Sequence, residues 1–211
     1  MFIELIDMLR CTRPHEDSWL VATFHEMRER DVVRGLLSCP VCTARYPITG
    51  GVAYFDELPG PGDNEADATM DDGTRIAAYL NLVEPGVVVL GGTWAGAAAS
   101  VSGMGSTVIA LNSPREPDGY SSHVRSSDVL PMARETVDGI ALDSGVPGLL
   151  ESAAHALKAG ARLVAPAAAA VPTGLLKLAR DDRWWVAARQ GGGASGPVQI
   201  ARGQRLKSSD G

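Results

Sequence analysis

Four residues near the start of the chain have the types and spacing to hold a metal ion. Cys39-Pro40-Val41-Cys42 is a Cys-x-x-Cys knuckle, which presents two thiols from one tight turn. Thiolate and imidazole donors at such spacing suit Zn²⁺ in tetrahedral coordination. Cys11 is the third donor; a second knuckle would need a cysteine at position 14, and Pro14 stands there. His15, four residues after Cys11, is the expected fourth ligand. His25, inside a segment that reads as a strand, is the alternative. The competing reading is three free thiols in a fold held by apolar packing. A catalytic cysteine is disfavoured, because no separate His/Asn partner pattern accompanies the thiols.

The second chemical feature is Val87-Val88-Val89-Leu90-Gly91-Gly92-Thr93-Trp94-Ala95-Gly96. A β-branched run, then glycines, then the small residues Ala97 to Met104 read as a buried strand, a tight turn and a helix start. Gly91, Gly92 and Gly96 are therefore candidate ligand-binding positions, since such turns let backbone approach a nucleotide-like ligand. A phosphate-binding loop would need Lys-Ser/Thr after Gly96, where Ala97-Ala98 stand, and no Gly-x-Gly-x-x-Gly fingerprint fits. The plainer alternative is that these glycines only permit close helix–sheet packing.

The elements that must position these residues follow from the apolar patterning. Phe2 to Leu9 alternate with Glu4 and Asp7 as a short helix ending at Cys11. Trp19–Met27 and Val32–Leu37 read as two strands, and Ala44–Phe55 closes a small β unit. Asp56 to Asp72 is rich in Pro, Gly and acidic residues and reads as a linker. Thr74–Val83 is expected as a helix, Ser106–Leu111 as a buried strand, His123–Ser127 as an edge strand and Thr136–Leu142 as a further strand. Gly148–Ala159 reads as a helix capped by Gly160, Arg162–Ala165 as a strand and Thr173–Arg180 as a short helix. Trp184–Arg189 and Pro197–Arg202 flank a glycine turn and read as an antiparallel hairpin. The expected fold is α/β: a mostly parallel Rossmann-like sheet with an antiparallel edge hairpin, preceded by a small α+β unit. The expected boundaries are 1–56, a linker at 57–73, and 74–205.

Bulk properties narrow the function. The chain has 211 residues and a net charge of −6, with no Lys/Arg cluster. No strong nucleic-acid binding is expected from this chain alone, since phosphate neutralisation dominates such affinity. No apolar run approaches the ~20 residues of a membrane span. Met1 to Leu9 lacks the basic start of a signal peptide, so a cytoplasmic location and no membrane partner are expected.

Cys11, Cys39-Pro-Val-Cys42, Tyr46-Pro47-Ile48 and Gly50-Gly51-Val52 together resemble a known family. It is the family of short zinc-ribbon-like activator proteins that partner tRNA and translation-factor methyltransferases. The likeness spans about residues 1–56, and it implies that Cys11, Cys39 and Cys42 fall on ligand positions. Residues 74–202 resemble class I S-adenosylmethionine-dependent methyltransferases in their order of elements. The likeness rests also on Val137 to Asp143, Leu149 to Val164 and Ser127-Asp128-Val129-Leu130-Pro131. It implies an S-adenosylmethionine site with Asn112 near the ribose and Asp128 near the adenine, and puts Asp143 and Ser144 where catalytic residues often sit. The departures fall at that site: Val89 replaces an acid, Thr93 and Trp94 interrupt the glycines, and Asn112 replaces a second acid. Trp94 is expected to crowd the pocket. Two functions remain open. One is a non-catalytic, methyltransferase-like binding or regulatory protein with a protein partner, a separate methyltransferase being the candidate. The other is an active methyltransferase with its activator fused in cis; its catalytic residues are not assigned.

Overall fold

The computed structural model describes residues 1–56 and 70–191. A 3₁₀ helix at Ile3–Met8 leads into β1 (Val21–Arg28), β2 (Asp31–Ser38), β3 (Arg45–Thr49) and β4 (Val52–Tyr54), an antiparallel meander. Then come α1 (Met70–Leu80), β5 (Val87–Gly91), a 3₁₀ turn at Gly92–Ala97, α2 (Ala98–Gly103) and β6 (Thr107–Leu111). β7 (Ser121–Arg125), β8 (Val137–Ala141), α3 (Pro147–Ala156), β9 (Leu157–Pro166), β10 (Leu175–Arg180) and β11 (Trp184–Arg189) complete the described chain. All of these strands join one mixed sheet in the order β1-β2-β3-β4-β7-β6-β5-β8-β9-β11-β10.

From β4 to β9 the strands are parallel apart from the β3–β4 hairpin, and β11 runs antiparallel to both β9 and β10. β5, β6 and β8 are buried on both faces, so they read as continuous apolar runs. Successive side chains on them point to opposite sides. Val89, Ile109, Leu111 and Ile140 join a core under α3 and the first 3₁₀ helix; that core continues through Leu37, Tyr46 and Ile48 of the meander. Val88, Leu90, Val108 and Ala141 pack under α1 and α2. The meander and the parallel strands thus share one core as well as one sheet.

Several expectations need correction. His123 lies on an interior strand: β4 pairs parallel with β7, covering the edge that was expected to be free. Thr173–Arg180 is no helix, because Leu175–Arg180 supplies the strand that pairs with β11. Trp184–Arg189 therefore takes β9 and β10 as neighbours; Pro197–Arg202 lies outside the described residues. α3 ends at Ala156, and Gly160, at φ +81°, sits within β9 instead of capping the helix. There the register against β8 shifts between Val137 and Gly139, as at a bulge. α1 begins at Met70, inside the expected linker, whose residues 57–69 lie outside the described residues.

His123 is 4% exposed, with Nε2 3.1 Å from Ser121 Oγ. Burial, reinforced by Arg125 and opposed by Asp118, lowers its pKa from 6.5 to about 4. Between those values the unfolded chain holds more protons than the folded one, so stability is complete above the unfolded value and falls as pH drops. The loss reaches about 2 kcal/mol by pH ~5 and about 3 kcal/mol near pH ~4. Urea unfolding at stepped pH is expected to show this slope in the native chain and a flatter one in His123→Gln. Equal slopes would remove the imidazole as its source.

Candidate metal centre and glycine-loop cleft

The first 3₁₀ helix ends where Leu9 and Arg10 make isolated bridges to Met132 and Trp19. Those bridges fix the direction of Cys11. The knuckle is the turn between β2 and β3, closed by Thr43 N–H donating to Cys39 O (3.0 Å) and Cys39 N–H to Ala44 O (2.9 Å). These two turns bring Cys11, His15, Cys39 and Cys42 together, with their donor atoms all within 4.8 Å of one another. Cys11 Sγ lies 3.6 Å from Cys42 Sγ, and His15 Nε2 lies 3.1 Å from Cys11 Sγ and 3.5 Å from Cys39 Sγ. A tetrahedron with Zn–S bonds of ~2.3 Å has edges of about 3.8 Å, so the spacing fits the ion.

The imidazole is oriented for ligation. His15 Nδ1 lies 2.6 Å from Glu16 O, so its proton belongs on Nδ1 and the Nε2 lone pair faces the thiols. Burial pushes the Cys39 thiol up, but backbone N–H groups of Cys42 and Val41, with Cys42 and Ser18 side chains, bring it down to about 6. Burial also raises Cys11, whose Sγ lies 3.1 Å from the Tyr46 hydroxyl. Tyr46 stacks on Phe55 at 4.5 Å and so ties the cluster to the core. His25 is exposed on β1 and takes no part in the cluster.

The glycine turn sits at the carboxyl end of β5, where the chain moves from β6 on one side to β8 on the other. Open α/β sheets place ligands at such switch points. A cleft of about 250 Å³ opens there, lined among others by Gly91, Gly92, Thr93, Asn112, Arg125 and Asp143. Three of the five sequence candidates, Gly91, Gly92 and Asn112, thus share this cleft. Gly96 does not line it, and Asp128 lines a separate cleft beside the meander.

Three polar side chains of the cleft, Thr93, Asp143 and Asn112, are bonded within the chain. Thr93 donates to Asp143 Oδ2 from its backbone N–H (2.7 Å) and from its hydroxyl (3.0 Å). A Cβ on Gly92, which has φ +60°, would meet the Asp143 carboxylate at 2.0 Å. Only glycine lets that carboxylate sit on the turn. Asn112 donates through Nδ2 to Ser126 O (2.6 Å) and accepts from Ser126 N–H through Oδ1 (2.9 Å), which clamps the ends of β6 and β7.

Trp94 corrects the sequence reading. It is 5% exposed, packs against Trp184 at 4.9 Å in the α1/α2 core, and does not line the cleft. Its Nε1–H is buried without a hydrogen-bond partner among the described residues. Val89 is fully buried on the opposite side, toward α3. Sequence reasoning noted Asp143 but missed its bonds to Thr93; its place just past the end of β8 was the available signal.

No family model matches the chain, and no curated protein matches it either. Solved structures do. A 1,6-didemethyltoxoflavin-N1-methyltransferase from Burkholderia thailandensis is 14% identical, with TM-score 0.43, covering 79% of this chain and 99% of its own. A tRNA methyltransferase from Aquifex aeolicus is 15% identical, with TM-score 0.41 and coverage of 81% and 95%. An antibiotic-resistance methyltransferase is 15% identical, with TM-score 0.39 and coverage of 63% and 98%.

Proposed function

We propose that this chain is a non-catalytic, methyltransferase-like binding protein whose N-terminal unit is held by one Zn²⁺ on Cys11, His15, Cys39 and Cys42. The observation that carries the reading is the Asp143 carboxylate on the glycine turn. The N–H and hydroxyl that could receive an anionic ligand group are satisfied from within the chain. An incoming carboxylate would have to displace Asp143 and then face its charge. Asn112 is held by its clamp on Ser126 and brings no charge to a ribose hydroxyl. The cleft of about 250 Å³ is also smaller than the ~300–1,000 Å³ of ordinary ligand sites.

Each charge-assisted hydrogen bond lost relative to an intact site costs about 1.5–3 kcal/mol. Two such losses weaken S-adenosylmethionine by roughly two to four powers of ten. Calorimetry on the full chain is expected to show no saturation at micromolar S-adenosylmethionine. Micromolar affinity, or methyl transfer from labelled cofactor to a cell-extract component that disappears on Asp128→Ala, would overturn the reading. It would promote the alternative, an active methyltransferase with its activator unit fused in cis.

The role is then regulatory, through a protein partner for which a separate methyltransferase is the candidate. The meander's β4 edge is engaged by β7, and among the described residues β1 is its open edge, beside exposed Trp19 (61%) and Val21 (59%).

A further inference from the structure

A cleft larger than the one at the glycine turn lies between the meander and the loop that follows β7. It measures about 860 Å³, within the usual size of small-molecule sites. One wall is Thr12, Arg13 and Pro14, the residues between the thiol of Cys11 and the imidazole of His15. A second is the outer face of β3 and β4. Arg45 and Pro47 alternate outward on β3 around buried Tyr46, and the β3–β4 register puts Tyr54 opposite Pro47. The third is Ser126 to Val129, and Asp56 also lines the cleft.

The charges in this cleft are unequal in their freedom. The Asp56 carboxylate accepts from the Ser127 N–H and hydroxyl, so its charge is turned into the loop. Arg13 and Arg45 are exposed, and neither has a carboxylate partner among the ion pairs of the described residues. Two guanidiniums without an ion-pair partner among the described residues, in a chain of net charge −6, are a local exception to its overall field. Guanidinium groups match phosphate oxygens in geometry. Pro47 and Tyr54 beside them offer a flat apolar surface, and Asp128 on the far wall offers an acceptor for ligand hydroxyl or amino hydrogens.

We propose that this cleft binds a small ligand carrying a phosphate on a nucleoside, with Arg13 and Arg45 on the phosphate, Pro47 and Tyr54 against the ring, and Asp128 on the sugar or base. The site does not depend on the glycine turn. It depends on the cysteine cluster, because Arg13 sits in the Cys11–His15 turn and Arg45 three residues past Cys42. The order of those two turns sets where the guanidiniums stand. Ligand affinity is thereby coupled to occupancy of the metal site.

The test titrates the full chain with adenosine monophosphate, adenosine and inorganic phosphate, followed by calorimetry and by backbone NMR shifts. Adenosine monophosphate is expected to bind more tightly than either fragment, with affinity falling as salt rises. Arg13→Gln and Arg45→Gln, both at exposed positions, are each expected to weaken it about tenfold or more without moving the melting temperature. Asp128→Asn is expected to weaken the nucleotide but leave inorganic phosphate unchanged. Chelation of the metal is expected to weaken the nucleotide in the native chain. No saturation at about 10 mM nucleotide, unchanged affinity in the Arg13→Gln/Arg45→Gln double variant, or shifts confined to Gly92 and Thr93 would each overturn the proposal.

Discussion

Stripping the metal from the Cys11, His15, Cys39 and Cys42 cluster is expected to lower the melting temperature by about 8–16 °C. A ligand held at about a thousand times its dissociation constant stabilises the native state by about 4 kcal/mol. In a domain of this size each kcal/mol moves the midpoint by about 2–4 °C. The effect is large because the cluster joins the end of the first 3₁₀ helix to the β2–β3 turn. Leu9, fully buried, and Tyr46 pack into the core right beside those turns. Protein purified in reductant without added metal is expected to carry about one zinc per chain, and Cys42→Ser to carry far less. Zinc well below one per chain, with a midpoint indifferent to chelator, would show that the cluster is three thiols and a histidine held by packing alone.

Trp185→Ala is expected to cost about 3–5 kcal/mol, the usual range for emptying a buried aromatic site, and about 6–20 °C in midpoint. Trp185 is 1% exposed, and its Nε1–H donates to Ala169 O at 3.0 Å. It stands on β11, which lies between β9 and β10 in the sheet and pairs with both. The cavity therefore weakens two strand pairings along with one side chain's packing. Urea unfolding followed by two probes measures it. A loss under about 1 kcal/mol would mean that this end of the sheet unfolds apart from the rest.

The parallel strands were legible because β5, β6 and β8 are covered on both faces and must be apolar throughout. The cysteine cluster was legible for a different reason: two turns of fixed local spacing already define most of a tetrahedron. Leu175–Arg180 misled because leucine, lysine, alanine and arginine are all good helix formers. Its state is decided instead by β11, whose backbone groups need a partner on that side. Gly160 reads as a helix cap because glycine is common there, whereas its positive φ falls inside β9. Trp94 failed on direction, since nothing local says which way a side chain leaves a 3₁₀ turn. The bonds of Asp143 to Thr93 and of Asn112 to Ser126 join residues 50 and 14 positions apart, and only the assembled sheet brings them together.

The parallel seam between β4 and β7 has a consequence for the chain as it is made. Tyr54 ends β4, and Ser121 begins β7. At a synthesis rate of ~5–20 residues per second, the 67 residues from Tyr54 to Ser121 take roughly 3–13 s. Through that interval the newly made meander holds both of its outer strands open to solvent, and either can template pairing with a neighbouring nascent chain. The β4 edge closes only after β6 and β7 have been added, so correct assembly is a contest between elongation and encounters among ribosomes on one message. Slower translation across this stretch, or denser loading of the message, is the condition under which the meander's open seam joins the wrong chain.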